Sequence, residues 1–413
     1  MNAEKIYKRL RHVLVIAILS ATVSFGQTPA SGSDEHSRTI EGVAFARDAH
    51  LLNLTAEQQP VAYRNLRFLA PHNTVARGPA FSPLPTATMD FRGFTYKYLN
   101  RARTLEDFIT DTRVAGILVI KDGRVVFERY ARGNRPASVW NSFSVAKSVL
   151  SLLFGAAVKD GSIKSLDDSV TQYLPRLRGS VYDRVTLRHL LQMSSGVAWN
   201  EDETDPASDL SKFASIGPAA GIEGQLNYMK RLPLKAPPGT VFNYNTGETN
   251  VAGAVLQAAI RRPLAEYLSE KVWKPAGMEA DAYWLLVRDG DMEFGGCCIS
   301  ATLRDYGRLG LLALRDGATA DGKKLLPDGW MAASTKAAPA AADYGYLWWL
   351  EGEGRYAASG IFGQYIYVIP GHNVVVAIHS VWPVAYNKEL PAHRRAFLNS
   401  LTAALSGKNR GRR

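Results

Sequence analysis

Ser144 and Lys147 stand three residues apart in the stretch Trp140-Asn141-Ser142-Phe143-Ser144-Val145-Ala146-Lys147-Ser148-Val149-Leu150. In a helix, positions i and i+3 share a face. The Lys147 amine then lies within reach of the Ser144 hydroxyl. A serine hydroxyl is a weak nucleophile until a neighbour takes its proton. A lysine can do so when burial lowers its pKa and leaves it neutral. The run from Val145 to Lys159 is apolar nearly all round, which predicts a buried helix with Lys147 inside it. Ser144 falls at the start of that helix, where the positive dipole end favours a developing oxyanion. Asn141 or Ser142 is placed to cap the helix, and Gly161 lies just past its end. Ser-x-x-Lys alone is a weak signal, since about one is expected by chance in a chain this long. It describes a surface lysine beside a helix-start serine equally well.

Two further stretches could complete the chemistry. Tyr244 follows Pro237-Pro238-Gly239-Thr240 and precedes a helical pattern, so it sits on a fixed loop. A phenol is protonated at neutral pH and acts as a base only beside a cation such as Lys147. Its plain alternative is a half-buried turn residue. Ala358-Ser359-Gly360-Ile361-Phe362-Gly363-Gln364 reads as the opening of a strand. Glycines there let a backbone N–H approach a ligand closely. A second oxyanion donor beside the N–H of Ser144 is then available. Small residues packed for close strand contact are the alternative.

The elements that must position these groups are legible around them. Val114–Ile120 and Arg124–Tyr130 are β-rich and joined through Asp122-Gly123, a hairpin signal. From about residue 162 to 300 the pattern is mainly helical, with Thr186 and Thr302 as candidate caps. After Asp343 it returns to strands: Tyr344–Leu350, Gly360–Pro370 and Asn373–Ser380. Phe397–Leu405 closes the chain as a helix. The expectation is an α+β fold, an antiparallel sheet formed by both chain ends and flanked by helices, with an inserted helical subdomain.

Composition is that of a globular chain, 413 residues with 46% hydrophobic and 21% charged. Residues 1–26 combine a basic start, a short apolar centre and small residues at the exit, the pattern of a secretory signal peptide. The apolar stretch is short for a membrane span. Residues 27–111, punctuated by prolines at 60, 71, 79, 83 and 85, read as an extended segment over a surface. Residues 112–406 form the main domain, with the insert at about 162–300, and residues 407–413 form a basic tail. Of the net charge of +11, the basic start supplies +3 and the tail +4. The body has no basic block interleaved with aromatics, so nucleic acid is not an expected partner. Cys297 and Cys298 are adjacent and expected to stay unlinked. No metal-ligand spacing and no cofactor motif is present. The expected location is outside the cytoplasm, in a bacterial periplasm.

The order Ser-x-x-Lys, Tyr244-x-Thr246 and a glycine-containing strand resembles the serine β-lactamase and penicillin-binding-protein superfamily. The closer likeness is to the class C β-lactamase-like hydrolases, notably 6-aminohexanoate-dimer hydrolases and related carboxylesterases. Leu166-Asp167-Asp168, Thr186 to Leu191 with Ser194-Ser195-Gly196, Pro238-Gly239-Thr240 and Tyr344-Gly345-Tyr346 carry the likeness further. The resemblance implies a serine hydrolase that cleaves an ester or amide bond of a small substrate. It implies Ser144 as nucleophile, Lys147 and Tyr244 as acid and base, and the N–H groups of Ser144 and Ile361 as oxyanion donors. Thr246, Ser359 and Gly360 fall at the substrate by the matched motifs, and Trp199, Tyr346, Trp348 and Phe362 flank the motif loops as candidate lining for an apolar acyl chain, with core packing as the equal alternative. Thr246 stands where the superfamily often has Asn, and Ala358 where it often has a cation. The second departure weighs against a D-Ala-D-Ala peptidase or a β-lactamase. Together the two leave room for a non-catalytic binding protein.

Overall fold

The computed structural model describes residues 37–46 and 51–406. The expected signal peptide and basic tail lie outside the described residues. The centre of the fold is a six-stranded antiparallel sheet. Its order is Trp349–Leu350, Tyr356–Gly360, Gln364–Ile369, Val374–Ser380, Val114–Lys121, Arg124–Tyr130. The hairpin forms as expected, with Asp122 and Gly123 both at positive φ in its turn. The strand Val374–Ser380 pairs with Val114–Lys121 from Val374↔Lys121 to Ser380↔Val114, so the two chain ends do meet in one sheet.

Both faces of this sheet are covered, which is why its inner strands read as unbroken apolar runs. Side chains alternate between the faces of a strand. Leu118, Ile120, Val375 and Ala377 point to one side, against Val149 and Leu153 of the helix Val145–Lys159 and Leu309 and Leu312 of the helix Leu303–Leu314. Ile117, Val119, Val374 and Val376 point to the other, against Phe108 and the C-terminal helix residues Phe397, Leu398 and Leu401. The helix Leu303–Leu314 approaches closely enough that a Cβ on Gly310 would meet Val375 Cγ1 at 2.4 Å.

Two expectations are corrected and one is filled in. The N-terminal segment is more than an extended cover. It holds a helix, Gln58–Leu69, and the strand His72–Val75 pairs with Ala282–Leu285. Pro60 falls in the first turn of that helix, where a missing N–H costs nothing. The insert is mainly helical as expected and also contributes two short strands: Ala282–Leu285 pairs with Ile299–Ala301, which pairs with Trp140–Asn141. Finally, Ser359 and Gly360 end the strand Tyr356–Gly360. A tight turn over Ile361–Gly363 follows, with Phe362 at φ 57° and Gly363 at φ 90°, before Gln364 opens the next strand.

Gln364 joins these parts. It is fully buried; its Oε1 accepts from Trp140 Nε1 at 3.0 Å, and its Nε2 donates to Ser380 O at 2.8 Å. The strand that leads to Ser144, the turn at 361–363 and the middle of the sheet are thereby pinned together.

Candidate active site

Ser144 is the residue preceding the helix Val145–Lys159, and its side chain makes no capping bond. Neither Asn141 nor Ser142 caps the helix. Asn141 Oδ1 accepts from Phe143 N at 3.3 Å, and Ser142 Oγ accepts from Ile299 N at 2.9 Å. These bonds hold the turn before the helix, in which Phe143 takes φ 43°. Left-handed backbone at a bulky residue is strained and persists only when its surroundings enforce it. The main chain thus swings Ser144 onto the helix start with its hydroxyl unspent on the backbone.

Lys147, one turn later, is 2% exposed. Its Nζ donates to Ser144 Oγ at 2.9 Å, to Thr246 Oγ1 at 3.0 Å and to Gly296 O at 2.8 Å. Three acceptors satisfy all three ammonium protons. Burial nevertheless lowers its pKa to about 8, opposed by the charges of Glu201 and Glu203. At neutral pH a minority of molecules therefore carry a neutral Lys147 amine beside the serine.

Tyr244 and Thr246 arrive together. Asn245 caps the helix Thr246–Ile260 by accepting from Glu248 N at 2.9 Å, which fixes the loop on which Tyr244 rides. The Tyr244 phenol is hydrogen-bonded with Ser144. The Lys147 Nζ lies 5.0 Å from the centre of its ring. Burial, reinforced by the charge of Glu201, pushes the phenol well above its ordinary value. Tyr244 is therefore a proton donor in the resting site.

Glu201 was not foreseen. Its carboxylate accepts from the Thr246 N–H at 2.9 Å, from the Thr246 hydroxyl and from Trp199 Nε1. Burial raises its pKa and Lys147 lowers it. A continuous chain of hydrogen bonds runs from Ser144 through Lys147 and Thr246 to Glu201. The acid-rich loop after Asn200 carries no periodicity that would have singled it out.

On the far side of Ser144, a Cβ on Gly360 would come within 2.5 Å of Ser142 O and 3.1 Å of Ser144 N. Glycine is required there by space, and Ile361 follows it directly. Ser144, Tyr244, Thr246, Ser359, Gly360 and Ile361 all line one cavity of about 840 Å³. Trp199 and Phe362 do not line it. Trp199 packs on Phe213 and against Gly247, and Phe362 packs on Phe143 and Tyr63. Tyr346 and Trp348 are core residues too. Large aromatics beside motif loops are here the packing that stiffens the loops.

Cys297 and Cys298, expected to stay separate, are joined in a disulfide between neighbours. The chain folds back at Cys298, at φ 73°, which brings adjacent sulfurs together. Both cysteines border the cavity. Among the described residues no group of three or more His, Cys, Asp or Glu is arranged to hold a metal ion.

The Beta-lactamase family model matches residues 102–398, well over half of the chain. The chain belongs to the beta-lactamase family. Within this beta-lactamase family it is similar to a 6-aminohexanoate-dimer hydrolase of Paenarthrobacter ureafaciens, 28% identical over 342 residues, 76% of this chain and 86% of the relative. Two solved structures share the fold. A candidate 6-aminohexanoate-dimer hydrolase from Bacillus anthracis superposes with a TM-score of 0.76 at 23% identity, over 84% of this chain and 94% of the other. A penicillin-binding protein homologue from Caulobacter crescentus does so with a TM-score of 0.55 at 17% identity, over 69% and 92%. The protein is thus a hydrolase of the β-lactamase fold.

Proposed function

We propose that this hydrolase cleaves an ester or amide bond of a small substrate through an acyl-enzyme on Ser144. The observation that carries the reading is the buried Lys147 amine, 2.9 Å from Ser144 Oγ and with its pKa lowered to about 8. In its neutral form Lys147 takes the Ser144 proton as Oγ bonds to the substrate carbonyl carbon. The N–H groups of Ser144 and Ile361 receive the oxyanion. The carbonyl then re-forms and the bond to the leaving group breaks. Tyr244, a protonated phenol hydrogen-bonded with Ser144, gives its proton to the departing alcohol or amine and is reprotonated from Lys147. Water repeats the sequence and releases the acid.

Thr246 takes the place of the superfamily's frequent asparagine and still accepts from Lys147. Ala358 is fully buried where β-lactamases and cell-wall peptidases often place a cation. That disfavours the peptidase and β-lactamase readings. The basic, then apolar N-terminus supports export, and we assign the protein to the bacterial periplasm.

The test is direct. A fluorophosphonate probe should label the mature protein on Ser144, and p-nitrophenyl acetate should be turned over. Ser144→Ala should lose both. Unchanged turnover in that variant would overturn the reading, and labelling by a fluorescent penicillin with rapid nitrocefin cleavage would favour a β-lactamase instead.

A further inference from the structure

Tyr244 gives its proton to the leaving group in the reaction read above. A phenol oxygen swings with its ring, so a proton donor is only as well aimed as the ring is held. Three groups hold this ring. Lys147 Nζ lies 5.0 Å from its centre. Tyr344 meets it edge-on at 6.3 Å. Trp349 lies nearly parallel to it at 5.7 Å, with 22° between the planes. Of these three, Trp349 alone also borders the cavity. It is half-buried, whereas Lys147 and Tyr344 are buried.

The backbone that carries Trp349 is tied to the nucleophile's own helix. Trp349 pairs with Ala357 at the edge of the large sheet, and with Tyr344 across a short turn. In that turn Leu347 takes φ 60°, and its carbonyl accepts from Ser148 Oγ at 2.6 Å. Ser148 directly follows Lys147 on the helix Val145–Lys159. The contacts close a ring. It runs from Ser144 along its helix to Ser148, across to Leu347, on to Trp349, and through Tyr244 back to Ser144. Phe242, two residues before Tyr244, packs on both Tyr344 and Trp349, so the Tyr244 loop leans on the same turn.

We infer that Trp349 is the positioning residue of the general acid. Its indole keeps the Tyr244 phenol aimed at the leaving-group atom and shields the ring from water on the cavity side. This rests on the serine-hydrolase reading. It separates substrates by leaving group. A nitrophenolate departs without a proton and does not need an aimed phenol. An alkoxide must take the Tyr244 proton as its bond to the carbonyl carbon breaks, and such general-acid transfer contributes about 10²–10⁴-fold.

The experiment is a leaving-group series on one acyl group: p-nitrophenyl, phenyl and trifluoroethyl acetate. It is read as kcat/KM, which reports acylation and leaves out the shared deacylation. In Trp349→Ala, p-nitrophenyl acetate should lose no more than about threefold and trifluoroethyl acetate at least about tenfold. Trp349→Phe keeps an aromatic face and should bring trifluoroethyl acetate back to within about threefold of the unmutated protein. The ratio between two substrates does not depend on the fraction folded, so destabilisation alone leaves it unchanged. Equal losses across the series, no loss at all, or no recovery with phenylalanine would overturn the role. Failure of the hydrolase reading looks different: no acetate turnover and no probe on Ser144.

Discussion

The rings of Phe143 and Phe362 meet at 5.3 Å, and both residues hold left-handed backbone. Phe143 directly precedes Ser144, and Phe362 directly follows Ile361. The two candidate oxyanion donors are therefore each one residue from a strained turn, and the strained turns are packed on one another. Tyr63, from the N-terminal helix, closes the set at 5.0 Å from Phe143 and 5.9 Å from Phe362. Aromatic contacts of this kind contribute roughly 0.5–1.5 kcal/mol each beyond their burial.

Tyr63 should accordingly act on rate as well as stability. Its hydroxyl is buried with no hydrogen-bond partner. Tyr63→Phe should keep the clamp and leave the melting temperature equal or higher. Tyr63→Ala should cost about 3–5 kcal/mol and lower kcat in the folded fraction. Thermal melts paired with active-site titration separate the two effects.

Gly360→Ala tests the other donor. The added Cβ would run into Ser142 O, a backbone atom that cannot swing aside. Moving the turn by a few tenths of an ångström misaligns Ile361. Loss of one oxyanion donor typically costs about 10²–10³ in kcat. A drop of that size with fluorophosphonate labelling slowed in parallel is expected; near-normal kcat would exclude Ile361 as a donor.

The pH–rate profile should report Lys147. The neutral amine is the base, so kcat/KM should be low at pH 6 and rise through about 8 to a plateau. Glu201 holds the lysine pKa up by its charge. Glu201→Gln removes that charge, so the rising limb should move to lower pH. A limb that stays in place would show that the two groups are not coupled.

Much of this chemistry was legible because it is local. Ser144 and Lys147 share a helix face by spacing alone, Asp122-Gly123 dictates its turn, and Thr186 caps the helix Leu187–Leu191 as its type suggests. What was hidden depends on distant contacts. Prolines in residues 27–111 obscured the helix Gln58–Leu69, because a proline in a first turn looks the same as one in a loop. Glu201 sits in an irregular loop and gains its role only when Thr246 meets it. Trp199 flanks a motif loop in the sequence, yet Gly247 leaves room for its ring to turn inward. A Cβ there would meet the ring at 2.8 Å.

Glu248 offers a test of stability alone. It is buried on the helix Thr246–Ile260, and desolvation raises its pKa to about 7. The folded state therefore holds its proton more tightly than the unfolded chain. The stability this contributes is complete below the ordinary glutamate range near 4.5 and is lost as pH rises through about 7. Glu248→Gln should remove that loss, raising stability at pH 8 by up to roughly 3 kcal/mol. Urea melts of both proteins at pH 5 and pH 8 would show it; an equal difference at both values would refute it.

The strand order carries a consequence for how the protein comes into being. Val374–Ser380, made after every other strand of the sheet, lies between Gln364–Ile369 and Val114–Lys121. Until it arrives, the strand Val114–Lys121 has no neighbour on that edge. Gln364 likewise lacks the Ser380 carbonyl it donates to. Contacts so far apart in the chain close slowly and late. A nascent chain of this hydrolase therefore keeps its central sheet open until Val374–Ser380 has been made.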